Sequence, residues 1–358
     1  MTMRYAIFGE SHGPAIGVVL QDVPPGLTVD LEAMAFELGR RAPGKSPMAT
    51  ARKEADQVEF LSGLFQGKTT GTPLCAVIRN TDQHSSDYAA TRDLARPGHA
   101  DYTGFVASRG CGDYRGGGHF SGRLTAPLVA AGAIAKQLLA QKGVSVGAHI
   151  LSLGPDLEDT DLLDLPEVTP ELLHQAALRP VPVLNEAMGP AMEAAILAAR
   201  QECDSIGGVI QCAVLGLPAG VGSPDFGENL EGELARALFA VPAVKGVAFG
   251  AGFALAQMRG SQANDLFCMD GGTVRTRTNH NGGINGGISN GMPVVFTAAI
   301  KPTPSISQPQ ATVNFRTGEE TTLTIKGRHD PCIVPRAVPV IEAAAALTIW
   351  NLLEGAHQ

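Results

Sequence analysis

The chain has 358 residues, 44% of them hydrophobic, with 27 Lys and Arg against 35 Asp and Glu for a formal net charge of −8. The apolar fraction supplies a core and excludes global disorder, and the acidic balance excludes the broad basic face that nucleic-acid binding needs. Only 17% of residues are charged, so subunit interfaces are expected, and 43 glycines with 24 prolines predict many turns and close backbone approaches.

In chain order, Met3 to Phe8 reads as a strand ending at Gly9-Glu-Ser-His-Gly13, and Ile16 to Leu20 as a second strand before the turn Pro24-Pro-Gly26. Asp30 caps a helix with apolar positions Leu31, Met34, Ala35 and Leu38. Residues 40–53 are basic, broken by Pro43, Gly44 and Pro47, and read as a loop. Thr125 to Gly143 is the clearest helix, with Thr125 as N-cap, Pro127 in the first turn and Gly143 as the stop. Residues 151–171 carry seven acids and no base, the pattern of a solvated loop. Further on, Met188 to Cys203 reads as a core helix, Gly207 to Leu215 as a strand and Leu230 to Phe239 as a helix. Val244 to Phe253 reads as strand and Val338 to Leu353 as a C-terminal helix. The irregular alternation, without repeat or linker, fits one α+β domain over residues 1–358.

The six cysteines have no Cys-x-x-Cys spacing, so reduced thiols in a cytoplasmic setting are expected, with no metal site. Glu10 and His12 interrupt the N-terminal apolar stretch, so no signal peptide is expected there. The longest apolar run, Leu124 to Ala135, is too short for a bilayer.

Three motif matches lack their context. Gly39 to Ser46 fits the phosphate-loop pattern, but a helix-type segment precedes it and Pro47 follows. Gly9-Glu-Ser11-His-Gly13 and Gly287-Ile-Ser289-Asn-Gly291 fit the serine-nucleophile elbow without the strand–turn–helix it requires. A serine hydrolase therefore stands only as a rival reading, beside a non-catalytic phosphate-binding protein.

Four segments carry chemistry. His12, between a serine and a glycine at a strand end, is a proton donor or simply a turn histidine. Residues 92–123 hold five Arg and three Asp but no Lys or Glu, which points to bidentate anion recognition. Gly116-Gly117-Gly118 within that stretch would let a planar or anionic ligand touch the backbone; a glycine-rich turn with surface arginines is the plainer alternative. Asn279 to Gly291 is nine-thirteenths Gly and Asn, an anion nest or a low-complexity loop, and Lys301-Pro302-Thr303-Pro304-Ser305 follows with a cation and two hydroxyls. Last, Asp330 lies before Pro331 in a restrained segment with Arg328 and Arg336, as a base or as a partner of Arg328.

Taken together, these segments resemble the chorismate synthase family, monofunctional type. The motifs that fit are Gly9-Glu-Ser-His-Gly13, Arg96-Pro-Gly-His-Ala-Asp101, Asp113-Tyr-Arg-Gly-Gly-Gly118, Pro242-Ala-Val-Lys-Gly246, Arg259-Gly-Ser261, Gly286-Gly-Ile-Ser-Asn-Gly291, Lys301-Pro-Thr303 and Arg328-His-Asp-Pro-Cys332, in family order. The resemblance implies helices sandwiched between antiparallel sheets, and a homotetramer. It implies a lyase of the shikimate pathway that converts 5-enolpyruvylshikimate 3-phosphate to chorismate and phosphate by anti-1,4-elimination. Reduced FMN is needed without net redox change. No reductase extension is expected after the last helix, so an external flavin reductase or reductant, NADP-linked, is implied.

By matching position, His12 protonates the departing phosphate, His99 stabilises the reduced flavin, and Asp330 helps remove the C6 proton together with flavin N5. Ser11, Arg41, Arg96, Arg123 and Arg328 would meet the substrate's carboxylates and phosphate. FMN would lie against His119, Phe120, Ser121, Ala243, Gly286, Lys301 to Ser305 and Arg328. Two departures stand out: His119-Phe-Ser-Gly122 replaces Arg-Ser-Ser-Ala before Arg123, and Pro47 stands where many members have Arg, with Lys45 as a substitute.

Overall fold

The computed structural model describes residues 2–44, 48, 56–81, 91–325 and 329–355. Its helices are α1 (Leu31–Arg41), α2 (Asp101–Ala107), α3 (Thr125–Ala140), α4 (Pro170–Ala177), α5 (Met188–Gln201), α6 (Leu230–Phe239), α7 (Gly260–Ala263) and α8 (Val334–Gly355). An antiparallel sheet near the N-terminus has the order Arg4–Gly9, Ala15–Gln21, Leu74–Arg79, Val58–Ser62. A larger one has the order Val244–Phe249, Val294–Ile300, Gly208–Leu215, Ser145–Leu153, Leu157–Glu158, again antiparallel throughout.

Alternation decides which face of each strand is buried. Ile16, Val18 and Leu20 point one way from their strand and are fully buried, and Leu74, Ala76 and Ile78 do the same beside them. This face meets α3, while α8 packs on the larger sheet and on α3. The two helices therefore lie between the sheets, an α+β sandwich whose middle layer is nearly all apolar. On the far side of the larger sheet, α4 covers a smaller cluster of Leu173, Leu162, Ala213, Leu215 and Val295.

The middle layer is thin because its residues are small. A Cβ on Gly132 of α3 would stand 2.3 Å from Ala343 Cβ and 2.5 Å from Ala343 Cα on α8. One polar cluster interrupts the layer. Glu342 of α8 is buried and takes the guanidinium of Arg40 (2.7 and 2.8 Å), the Lys136 ammonium (2.5 Å) and the Ala148 amide (3.0 Å). Burial alone would push its carboxyl up; Arg40 and Lys136 more than offset this and bring it down to about 2. Elsewhere, Asn351 of α8 accepts from the Met3 amide (2.7 Å) and donates to the Met3 carbonyl (2.9 Å).

Several boundaries differ from the sequence reading. Thr125 is the first helical residue rather than the cap, and its hydroxyl donates to the Gly122 carbonyl at 2.6 Å. Leu31 and Ala35 are exposed, so α1 buries a narrower stripe through Met34 and Leu38. The acidic stretch is not simply solvated: Asp159 is buried, accepting from the Leu184 and Asn185 amides and pairing with His149 at 3.2 Å. The strand from Val244 ends at Phe249, and a 3₁₀ turn occupies Gly252–Gln257. Helix α8 begins at Val334, with Pro335 in its first turn and Pro339 inside it. It is long and apolar enough to cross a bilayer, yet most of its apolar window is buried against the sheets and α3.

Gly132→Ala tests the helix contact. Alanine favours helix by about 1 kcal/mol over glycine, but overpacking here should outweigh that and cost about 1–3 kcal/mol net. A thermal melt checks the sign, and a stabilised variant would refute the close approach.

Candidate functional site

Residues 10–14 connect the first two strands, and Asn80 holds this turn by donating to the carbonyls of Glu10 (3.0 Å) and Gly13 (2.9 Å). Ser11 and His12 are buried in it. The Ser11 hydroxyl donates to the Arg115 carbonyl at 3.2 Å and lies 3.0 Å from His12 Nδ1. A hydroxyl has one proton to give, so Nδ1 must donate to Oγ. That leaves Nε2 as the nitrogen whose proton can be exchanged. Ser11 is thus no activated nucleophile. Ser289 is none either: its hydroxyl donates to Pro218 O (2.6 Å) and accepts from the Val221 amide (2.9 Å).

Gly116 and Gly118 are filled by neighbours rather than open to a ligand, whereas Gly117 lines the cavity described below. All three have positive φ, and their missing side chains make room for neighbours. A Cβ on Gly116 would stand 2.2 Å from His12 Cε1, one on Gly117 3.1 Å from His99 Cε1, and one on Gly118 2.2 Å from Asp113 O. The backbone here is a thin wall with a histidine packed against each of two adjacent glycines.

His99 Nδ1 is 2.9 Å from Asp101 Oδ1 and 3.1 Å from Arg96 Nη2. Nδ1 therefore either donates to the carboxylate or accepts from the guanidinium, and in both cases it is the engaged nitrogen of the ring. Arg96 also forks onto Asp101 through Nε (2.7 Å) and Nη2 (2.6 Å). Burial pushes the Asp101 carboxyl up, but the bonds from Arg96 and His99 prevail and hold it well below the usual carboxylate range. Arg96 Nη1 reaches Ser305 Oγ at 3.5 Å, Lys301 Nζ donates to Gly98 O at 2.5 Å, and Lys301 N donates to Ala243 O at 3.0 Å. Residues 96–101, Ala243 and 301–305 are therefore one cluster. Burial, reinforced by Lys245, pushes the Lys301 ammonium down. Burial and then Arg96 push the nearby His329 to about 4, so it is neutral at pH 7. The Thr303 hydroxyl is buried without a partner among the described residues.

A second cluster lies behind the first. Asp56 is fully buried and accepts from both Arg41 and Arg123, and Arg123 Nε also donates to Asn80 Oδ1 at 3.1 Å. Burial outweighs Asp56 and lowers the Arg41 guanidinium to about 10. Asp330 receives Arg336 Nη1, and Arg336 Nε donates to the Arg41 carbonyl at 2.9 Å. The expected pairing of Asp330 with Arg328 falls on a residue outside those described.

A cavity of about 830 Å³ opens beside the first cluster. Arg96, His99, His119 and Phe120 line it, with Phe105 and Phe315 opposite. His119 Nδ1 meets Gly9 O at 3.0 Å, and Ser121 accepts from the Arg123 amide at 3.3 Å. Ser11, His12, Arg41, Arg123 and Asp330 do not line the cavity. Gly286 sits in the exposed turn between the short strands Ile284–Asn285 and Ile288–Ser289, apart from that lining. Arg328, Lys45 and Pro47 lie outside the described residues. Gly39 to Arg41 finish α1, so the phosphate-loop match lacks its strand. Sequence reasoning missed Asp56, Asn80 and the links of Arg336; only burial and pairing distinguish them.

A family model described as chorismate synthase matches residues 3–353. The chorismate synthase of Methanocella arvoryzae is 50% identical over 346 residues, covering 97% of this chain and 91% of the relative. That of Thermococcus kodakarensis is 46% identical over 351 residues, with 98% and 96% covered. A solved structure described as a crystal structure of chorismate synthase aligns with a TM-score of 0.78 at 28% identity, covering 99% of this chain and 92% of the other.

Asp56→Asn leaves two buried guanidinia facing each other without their shared charge. We expect a loss of about 3–5 kcal/mol in unfolding free energy, read from denaturant titration. A change within about 0.5 kcal/mol, the range of an ordinary surface substitution, would show that Asp56 does not hold the pair.

Proposed function

This chain belongs to the chorismate synthase family, enzymes of the chorismate-forming step of the shikimate pathway, and on that premise we propose how its residues serve that reaction. It converts 5-enolpyruvylshikimate 3-phosphate to chorismate and phosphate by anti-1,4-elimination with reduced FMN. The observation that carries this reading is the pair of histidines packed on Gly116 and Gly117, with arginine clusters on either side.

The residues fit a phosphate-bearing flavin. The cavity is roomy, the Lys301 ammonium and Ser305 hydroxyl stand close by, and the buried Thr303 hydroxyl lacks a partner among the described residues. FMN would be held by His119, Phe120, Ser121, Ala243, Gly286, Lys301 to Ser305 and Arg328. Bound there, reduced FMN would supply electron density for the elimination without net redox change.

The chain's own groups do the rest. As an imidazolium, His12 would give its Nε2 proton to the departing phosphate while Nδ1 stays bonded to Ser11. His99, with Nδ1 engaged between Asp101 and Arg96, keeps Nε2 for the cofactor's edge. Asp330 receives the proton leaving C6. Arg96, Arg328 and, around Asp56, Arg41 and Arg123 provide the cationic field for the substrate's carboxylates and phosphate. One domain over 1–358 fits the continuous core. A homotetramer fits the exposed apolar face of Phe267, Met269 and Val274. The free thiols suit a cytoplasmic protein, with flavin reduced by an external, NADP-linked reductase.

Anaerobic incubation with substrate and a trace of dithionite-reduced FMN should release phosphate over many turnovers, while oxidised FMN alone should release none. One flavin oxidised per chorismate formed would sink the redox-neutral reading. His12→Ala and His99→Ala should each slow phosphate release by about 10²- to 10⁴-fold while the melting transition survives. Near-parental turnover in either variant would remove that histidine from the mechanism.

A further inference from the structure

Asp330 can take up a proton, the proposed role on which this inference rests, only if its carboxylate is held in place. It lies four residues before α8, in a segment that is neither strand nor helix. We infer that Arg336 is a positioning residue that fixes Asp330 relative to the arginine pair. Its Nη1 donates to Asp330 Oδ2, and its Nε donates to the Arg41 carbonyl at 2.9 Å. These two nitrogens belong to one rigid planar group. The carboxylate and the end of α1 are therefore set at a fixed separation, and the Arg41 side chain runs from that same residue to Asp56 and Arg123.

The Arg41 carbonyl is one of those left unbonded at a helix C-terminus, where a cation is favoured. Arg336 itself stands in the first turn of α8, and α8 is anchored in the core through Glu342. Its Nη1 and Nε are engaged inside the protein, by Asp330 and the Arg41 carbonyl, so it acts through Asp330 rather than on the substrate.

The experiment compares Arg336→Gln, Arg336→Lys, Asp330→Asn and the double variant Arg336→Gln with Asp330→Asn. Phosphate release is followed anaerobically with reduced FMN, and each variant is melted in parallel. Arg336→Gln should lower kcat by about 10- to 100-fold with KM within about threefold, the size expected for a misplaced reacting group. The double variant should be no slower than Asp330→Asn alone, since a residue that acts only through Asp330 adds nothing once the base is gone. Arg336→Lys keeps the charge but not the fork; it should melt near the parent with an intermediate kcat, which carries the test if glutamine prevents folding. Parental kcat in both Arg336 variants beside an inactive Asp330→Asn would overturn the inference alone. So would losses that multiply in the double variant. Parental turnover in Asp330→Asn would remove the base reading and this inference with it.

Discussion

Guanidinium groups repel one another, and a protein that gathers them must supply a counter-charge for each. That constraint organises this molecule. Arg40 is held by Glu342, Arg41 and Arg123 by Asp56, Arg96 by Asp101, Arg115 by Asp113 and Arg336 by Asp330. The pairs differ in depth. Glu342 and Asp56 are sealed in, where an unpaired charge would be very costly, and they tie α1 to the core. Asp101 and Asp330 lie nearer the surface, where a carboxylate can orient a histidine or exchange a proton. The same chemistry thus serves as scaffold inside and as machinery outside.

The glycine run answers a demand for space. Two imidazoles can flank one stretch of backbone only if that backbone has no side chains, and Gly116 and Gly117 meet the condition at positive φ. Each histidine has one nitrogen engaged: that of His12 by a serine whose proton is already given away, that of His99 between a carboxylate and a guanidinium. With one nitrogen of each ring engaged, the other is the one left to exchange a proton.

The sequence disclosed types and missed partners. Arg96, His99 and Asp101 were legible because the three lie within six residues, and local spacing brought them together as read. Asp56 was not, since nothing in Ala55-Asp56-Gln57 marks it as the counter-charge of residues 15 and 67 positions away. The glycines were recognised as room for a close approach; that a histidine takes this room at Gly116 while Gly117 also faces the cavity depends on tertiary packing. Four strands were legible, near residues 3–8, 16–20, 207–215 and 244–249, whereas Val58–Ser62, Leu74–Arg79, Ser145–Leu153 and Val294–Ile300 were not. The start of α8 was not: the reading began the helix at Val338 and left out Pro335, which occupies a first turn where no amide is needed. Asp159 was hidden among surface-like acids, and only its bonds to two amides distinguish it.

The clasp between Asn351 and Met3 joins positions 348 residues apart. Its side-chain amide imitates a strand, taking an N–H and offering one back. During synthesis on the ribosome, the first hairpin emerges early, yet α3 gains its largest packing partner only when α8 appears near the end of the chain. Until then the inner face of the larger sheet and the side of α3 turned toward it lie bare, and a growing chain of this kind is at its most sticky just before completion. The arrangement makes the whole middle layer close in one late step, so a ribosome stalled before residue 334 would hold a chain with two sheets and no finished core between them.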